Sequence, residues 1–208
     1  MTVERPMPRD TKRLRFRLWE DTEHDIAAGL AIYGDTDVMR YIGTGEVEDR
    51  DKVRQRFARR RAMFEQFGYT GWAIVLRDDP TDTPIGSILL APMNQGPHAD
   101  AIRRDPRYGP MVEVGYHLGR RAWGHGYARE GARSVVEFAF EAPPKGAGLD
   151  EVVATIYPEN LPSIRTAESL GFVGRGPEGA PETMSLFGRS DILLLRLSKD
   201  RWASTRAD

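Results

Sequence analysis

In the stretch Val112-Glu-Val-Gly-Tyr-His-Leu-Gly-Arg-Arg-Ala-Trp-Gly-His-Gly-Tyr-Ala-Arg-Glu130 a strand passes through a pair of glycines into a helix. Val112, Val114, Tyr116 and Leu118 alternate with Glu113, Gly115 and His117, the period of a strand with unlike faces. Past Gly124-His-Gly126, the residues Ala128, Ala132, Val135, Val136 and Ala139 fall on a 3.6-residue stripe, so a helix opens near Tyr127. Gly124 and Gly126 allow the backbone to approach a ligand without side-chain obstruction. The helix start adds unpaired N–H groups and the positive end of its dipole. Together they suit a pyrophosphate or another anion, with Arg120, Arg121 and His125 close enough for charge-assisted contacts. Two glycines before a helix also serve a turn and close packing alone, so both readings stay open on this stretch by itself.

Working outward, Leu14, Phe16 and Leu18 alternate with arginines and predict a strand after a loose lead-in over residues 1–12. Asp21 or Thr22 caps a helix carrying Ile26, Leu30 and Tyr33 on one face. A short helical stretch with Val38, Met39 and Ile42 follows, then a longer helix over 51–67 with Val53, Phe57, Phe64 and Phe67 on one side. In that helix Arg59-Arg60-Arg61 reads as a solvated face rather than an anion site. Strands are expected at 72–77 and 85–90, joined by the turn Asp78–Asp82. Residues 92–110 form a long polar connection containing His98, Asp100, Arg103 and Arg104. Downstream come a strand at 152–157, a helix at 162–170, a strand start at 172–174 and a final strand at 191–197. Strands interleaved with helices predict a mixed α/β (α+β) single domain over 13–202, with a tail at 203–208.

Composition bounds the function. The 208 residues are 40% hydrophobic and 29% charged, ordinary for one globular domain. There is no cysteine, which excludes disulfides, thiolate metal sites and a cysteine nucleophile. A net charge of −1 argues against a dedicated nucleic-acid binder. No apolar run is long enough to span a bilayer, and the first residues lack an apolar signal core, so a cytoplasmic protein without a membrane partner is expected. The histidines show no paired ligand spacing, and no metal is expected.

The segment with Arg121, Gly124 and Gly126 resembles the Arg/Gln-x-x-Gly-x-Gly/Ala phosphate loop of the GNAT acetyltransferase superfamily. The wider string 112–130 and a second block, Asn160-Leu-Pro-Ser163 with Ile164-Arg-Thr-Ala-Glu-Ser-Leu-Gly-Phe172, are similar to its ribosomal-protein N-terminal acetyltransferase branch. The resemblance implies a twisted, mostly antiparallel sheet flanked by helices and splayed between its fourth and fifth strands. It implies acetyl-CoA as acetyl donor, with the pantetheine arm in the splay against backbone groups of Tyr116 and Leu118. The pyrophosphate would lie on residues 121–126, at the start of the helix with Tyr127 and Ala128, and Asn160 would hold the pantetheine amide. Direct transfer within a ternary complex is the route the family implies.

Transfer of an acetyl group to an amine needs a base for the ammonium proton, donors for the thioester oxygen and help for the leaving thiolate. Glu113 is the candidate base, directly or through water; a half-exposed surface carboxylate is the alternative. His117, on the same strand face, is its rival, or a structural histidine. Many family members carry a tyrosine four residues before the Gly-Phe pair, counted from its glycine, where this chain has Ala167. Ser163 is the implied substitute, donating a hydrogen bond to the sulfur, or else a residue of the helix cap. The acceptor is a peptide N-terminus or a small amine; a non-catalytic acyl-CoA-binding or regulatory module is the other reading. An exposed strand edge would permit a homodimer.

Overall fold

Continuous burial along one short strand sets the layering. In a computed structural model describing residues 5–95, 99, 108, 110–174 and 179–205, β2 (Gly71–Leu76) is covered on both faces. Trp72 and Ile74 join a core with one helix layer, while Ala73 joins a second core on the other side. The strand therefore reads as an unbroken apolar run rather than an alternation. β1 (Leu14–Arg17) and β3 (Pro84–Pro92) flank it, and β4 (Val112–Leu118) pairs with β3. β5 (Glu151–Ile156), β6 (Thr183–Leu186) and β7 (Arg189–Ser198) complete a seven-stranded sheet in the order β1-β2-β3-β4-β5-β7-β6.

Every neighbouring pair is antiparallel except β4 and β5, which run parallel. Their register consists of one pair, Glu113 with Val153. β3 and β4, by contrast, stay paired from Gly86–Leu118 to Pro92–Val112. The sheet is thus opened between its fourth and fifth strands, as the resemblance implies.

Helices α1 (Glu23–Tyr33), α2 (Thr36–Met39) and α3 (Arg50–Phe67) lie on one side of the sheet. Thr22 is the α1 cap, its hydroxyl accepting from the Asp25 N–H, which resolves the choice between Asp21 and Thr22. Close approach of α1 to α3 needs Gly29, where an added Cβ would come within 2.6 Å of Val53. On the opposite side α4 (Tyr127–Phe140) buries Ala132, Val135, Val136 and Ala139 completely, the stripe the sequence predicts. A short 3₁₀ turn, Arg120–Ala122, links β4 to α4. Helix α5 (Leu161–Ser169) follows β5, and α6 (Lys199–Ser204) folds Trp202 into the core.

Two expectations are corrected, and a third lies largely outside the described residues. Residues 172–174 hold a single bridge, Val173 with Arg196, and the strand that precedes the last one is β6, farther along the chain. The arginine triplet is not uniformly solvated: Arg59 and Arg61 are exposed, but Arg60 is 6% exposed. It lies three residues after Phe57 and seven after Val53, on the inward stripe of α3, so helical phase overrides the local charge run. The long 92–110 connection falls largely outside the described residues, including His98, Asp100, Arg103 and Arg104.

Candidate active site

A cavity of about 1360 Å³ occupies the opening between β4 and β5. Its wall includes Arg60 and His117 from one side of the sheet and Gly124, Gly126, Tyr116 and Ser163 from the other. One continuous space therefore holds all three candidate catalytic groups, Glu113, His117 and Ser163.

The glycine pair has the backbone that the anion reading requires. Gly124 and Gly126 sit at φ +77° and +76°, the left-handed region that other residues rarely adopt. No side chain caps α4, whose cap residue is Gly126 itself, so the first-turn N–H groups face outward without a protein side-chain acceptor there. Arg121 is exposed and has no ion-pair partner among the described residues, whereas Arg120 is committed to Asp37 of α2 at 2.7 Å. His125 stacks on Tyr127 with ring centres 5.5 Å apart. A residue that the sequence left unmarked braces this loop: Arg13, just before β1, donates through Nη1 to the His125 carbonyl at 3.0 Å and through Nε to Glu130 at 2.6 Å. Glu130 also accepts from the Thr11 hydroxyl and the Arg13 N–H, and these bonds hold its carboxyl below the usual range against the opposing effect of burial.

Along β4 the two faces carry different chemistry. Glu113 Oε1 accepts from the Thr155 hydroxyl and, at 3.3 Å, from the Thr155 N–H, tying the base candidate to β5 just beyond the last paired residue. His117 lies two pairs of residues farther along the same face. Burial, then Arg56 and Arg60, hold its imidazole well below the ordinary histidine range, and it is neutral at physiological pH. Its Nδ1 is buried without a hydrogen-bond partner among the described residues.

The opposite face presents Tyr116, whose side chain the sequence reading left without a role. Its hydroxyl donates to the Ser163 carbonyl at 2.7 Å and accepts from Ser163 Oγ at 3.0 Å. Burial pushes the phenol up to about 12, so it stays protonated and is a weaker acid than free tyrosine. The missing family tyrosine is matched by Ala167, buried at 1% exposure. Asn160 caps α5, its Oδ1 accepting from the Ser163 N–H at 3.3 Å, so the cap is Asn160 and not Ser163. The Leu118 carbonyl already accepts from Trp123 Nε1 at 2.8 Å. Among the described residues no group of three or more His, Cys, Asp or Glu side chains could hold a metal, and no helix is long and apolar enough to cross a membrane.

A mixed sheet opened at its parallel pair, with a glycine cradle at the mouth of the opening, defines a fold built to hold an acyl-carrying cofactor. A family model described as the acetyltransferase (GNAT) domain matches residues 13–173, and the chain belongs to this family of acetyltransferases. It is 29% identical over 161 residues to the uncharacterised protein YkkB of Bacillus subtilis, covering 77% of this chain and 82% of that one. An uncharacterised N-acetyltransferase of the same organism, YoaA, is 28% identical over 167 residues, 80% of this chain and 83% of its own. Among solved structures, AAC(6')-Ib in complex with ribostamycin and coenzyme A shares the fold, with a TM-score of 0.69, 20% identity and coverage of 94% and 98%. The protein is an acyltransferase.

Proposed function

We propose that this enzyme passes the acetyl group directly to a primary amine, of a peptide N-terminus or a small molecule, within one ternary complex. The observation that carries the reading is the one-pair contact between β4 and β5, which opens a cavity reaching from Glu113 to the left-handed glycines at the start of α4. The cradle amides of residues 121–126 and the start of α4 receive the pyrophosphate, Arg121 adds charge, and the edges of β4 and β5 receive the pantetheine arm.

Glu113 takes the proton that the ammonium must lose, with Thr155 fixing its orientation. The amine nitrogen then bonds to the carbonyl carbon as the carbon–sulfur bond breaks. Ser163 turns its hydroxyl hydrogen from Tyr116 to the leaving sulfur, which departs as a thiolate held by that bond and takes up, through solvent, the second proton that the nitrogen sheds as the amide forms. Tyr116 keeps the Ser163 carbonyl in place meanwhile; with its phenol near 12 it serves as an anchor rather than a proton source. The neutral, enclosed His117 is a poor base, because a proton on it would face Arg56 and Arg60. The sequence has no cysteine to carry an acyl intermediate, consistent with the direct route.

Ala167 supports the rival reading of a non-catalytic acyl-CoA-binding or regulatory module. Calorimetry with acetyl-CoA, followed by thiol release against amines and N-terminal peptides, separates the two. Binding with amine-dependent release is the expected result. Binding with no release across the panel would favour the module, and absence of binding would overturn both.

A further inference from the structure

The amine side of the cavity contains a buried cation that no carboxylate of the described residues neutralises. Arg60 donates through Nη1 to Ser87 Oγ at 2.7 Å and through Nη2 to Tyr33 Oη at 2.8 Å. Both acceptors are uncharged. The nearby acid, Glu48, is taken in a two-pronged pair by Arg56, with Nε at 2.8 Å, so that pair adds no net charge. His117, which faces Ser87 across the β3–β4 pair, is neutral and contributes none. A buried charge without a counter-charge is expensive, because the ion has lost its hydration and gained nothing of opposite sign.

Hydrogen-bond accounting points the same way. Ser87 Oγ lies within bonding distance of three donors: Arg60 Nη1, Trp19 Nε1 at 2.9 Å and Tyr33 Oη at 3.1 Å. A hydroxyl oxygen has two lone pairs. Ser87 therefore serves Arg60 and Trp19 and turns its own hydrogen to Tyr33 Oη, which leaves the tyrosine hydrogen without a partner in the cluster. Arg60 keeps its Nε hydrogen and the second hydrogen of each amino group. The cluster is rich in donors and carries one positive charge, and Arg60, its member on the cavity wall, lies on the side of the sheet to which Glu113 points.

We propose that the acceptor is an amine that also carries a carboxylate, and that Arg60 receives that carboxylate while the amine reaches Glu113. This rests on the acetyl-transfer reading above and adds the substrate class. An anion here supplies the missing counter-charge and the acceptors that the cluster lacks, and the planar guanidinium fork matches a carboxylate.

The test uses the whole chain in two arms. First, thiol release is compared for ω-amino acids of three to six carbons and for the alkylamines of the same lengths. We expect at least about a tenfold higher kcat/KM for the best amino acid, residing mostly in KM. Second, the coenzyme A complex is titrated by calorimetry with alkyl carboxylates and with their amides, in wild type, Arg60→Gln and Arg60→Lys. Carboxylates should bind in preference to amides, with affinity lost in Arg60→Gln and partly kept in Arg60→Lys, while coenzyme A affinity is unchanged. If Arg60→Gln fails to fold, the wild-type comparison and Arg60→Lys decide. Equal use of neutral amines, or carboxylates that bind no better than amides or not at all, overturns the proposal while acetyl transfer stands. Failure to bind acetyl-CoA is a separate result, and sinks the transfer reading itself.

Discussion

The two ends of the cavity are built by opposite means. At the cofactor end the device is backbone: two glycines at positive φ, an uncapped helix start and a brace from Arg13. At the amine end it is side chain: Arg60, Tyr33, Ser87 and Trp19 locked to one another behind the β4 strand. A backbone device tolerates variation in every side chain but the glycines, and suits a ligand shared by many relatives. A side-chain cluster drawn from α1, α3, β3 and the β1–α1 connection can be rebuilt one residue at a time, and is the natural place for specificity.

The contrast is sharpest at Gly126. A Val there pays the left-handed penalty, about 1–2 kcal/mol or more for a branched side chain, and puts methyl groups where phosphate should lie. We expect Gly126→Val to lower acetyl-CoA affinity by at least about 100-fold by calorimetry, with the thermal transition shifted little and carboxylate binding preserved. Loss of both ligands together would mean that the two ends are one cooperative unit. Next in size, Glu113→Gln should lower kcat by about 10²–10³-fold, within the range for a removed general base, with acetyl-CoA affinity unchanged. An unaltered rate would move the proton to water or to His117.

Legibility in the sequence follows the same division. The strand 112–118, the glycine pair and the α4 stripe were readable because each is encoded by neighbours in the chain: alternation, positive-φ residues, a 3.6-residue period. The amine end was not, because Trp19, Tyr33, Arg60 and Ser87 meet from four separate segments. One local signal was available: Arg60 stands on the phase of Val53, Phe57 and Phe64, where a charged residue is out of place unless buried with partners. Reading the arginine triplet as a block of charge, rather than residue by residue around the helix, hid it. The role of the Tyr116 side chain was missed for a related reason. Its partner Ser163 is 47 residues away, and nothing in either local pattern announces that they touch. The short β6 and the helix α6 were passed over because four and six residues give too little period to register.

A third, smaller effect tests the amine end through stability. The His117 imidazole is depressed by burial, Arg56 and Arg60. The unfolded chain takes up a proton near the ordinary histidine value of about 6.5, and the folded one does so well below it. Stability from this neutral imidazole is therefore fully present above that value and is lost as pH falls from there through the folded value. Wild type should lose thermal stability between pH 7 and 5 more steeply than His117→Gln. Parallel curves would mean that His117 is not enclosed by the arginines.

The smallest expected effect probes whether the backbone device stands by itself. Arg13 directly precedes β1, an edge strand, yet its guanidinium reaches the His125 carbonyl inside the cradle and lies 4.6 Å from the Tyr127 ring centre. Its side chain is 44% exposed, so the ion pair with Glu130 is partly screened and the carbonyl bond is the larger part of the brace. A single such bond is worth about 0.5–1.5 kcal/mol. Arg13→Gln should therefore weaken acetyl-CoA binding by about 2–10-fold and leave the preference for a carboxylated amine where it was. Unchanged affinity would show that the left-handed glycines hold the cradle unaided. A loss as large as that at Gly126 would show instead that Arg13 reaches the bound phosphates directly, and the cofactor end would then depend on a side chain after all.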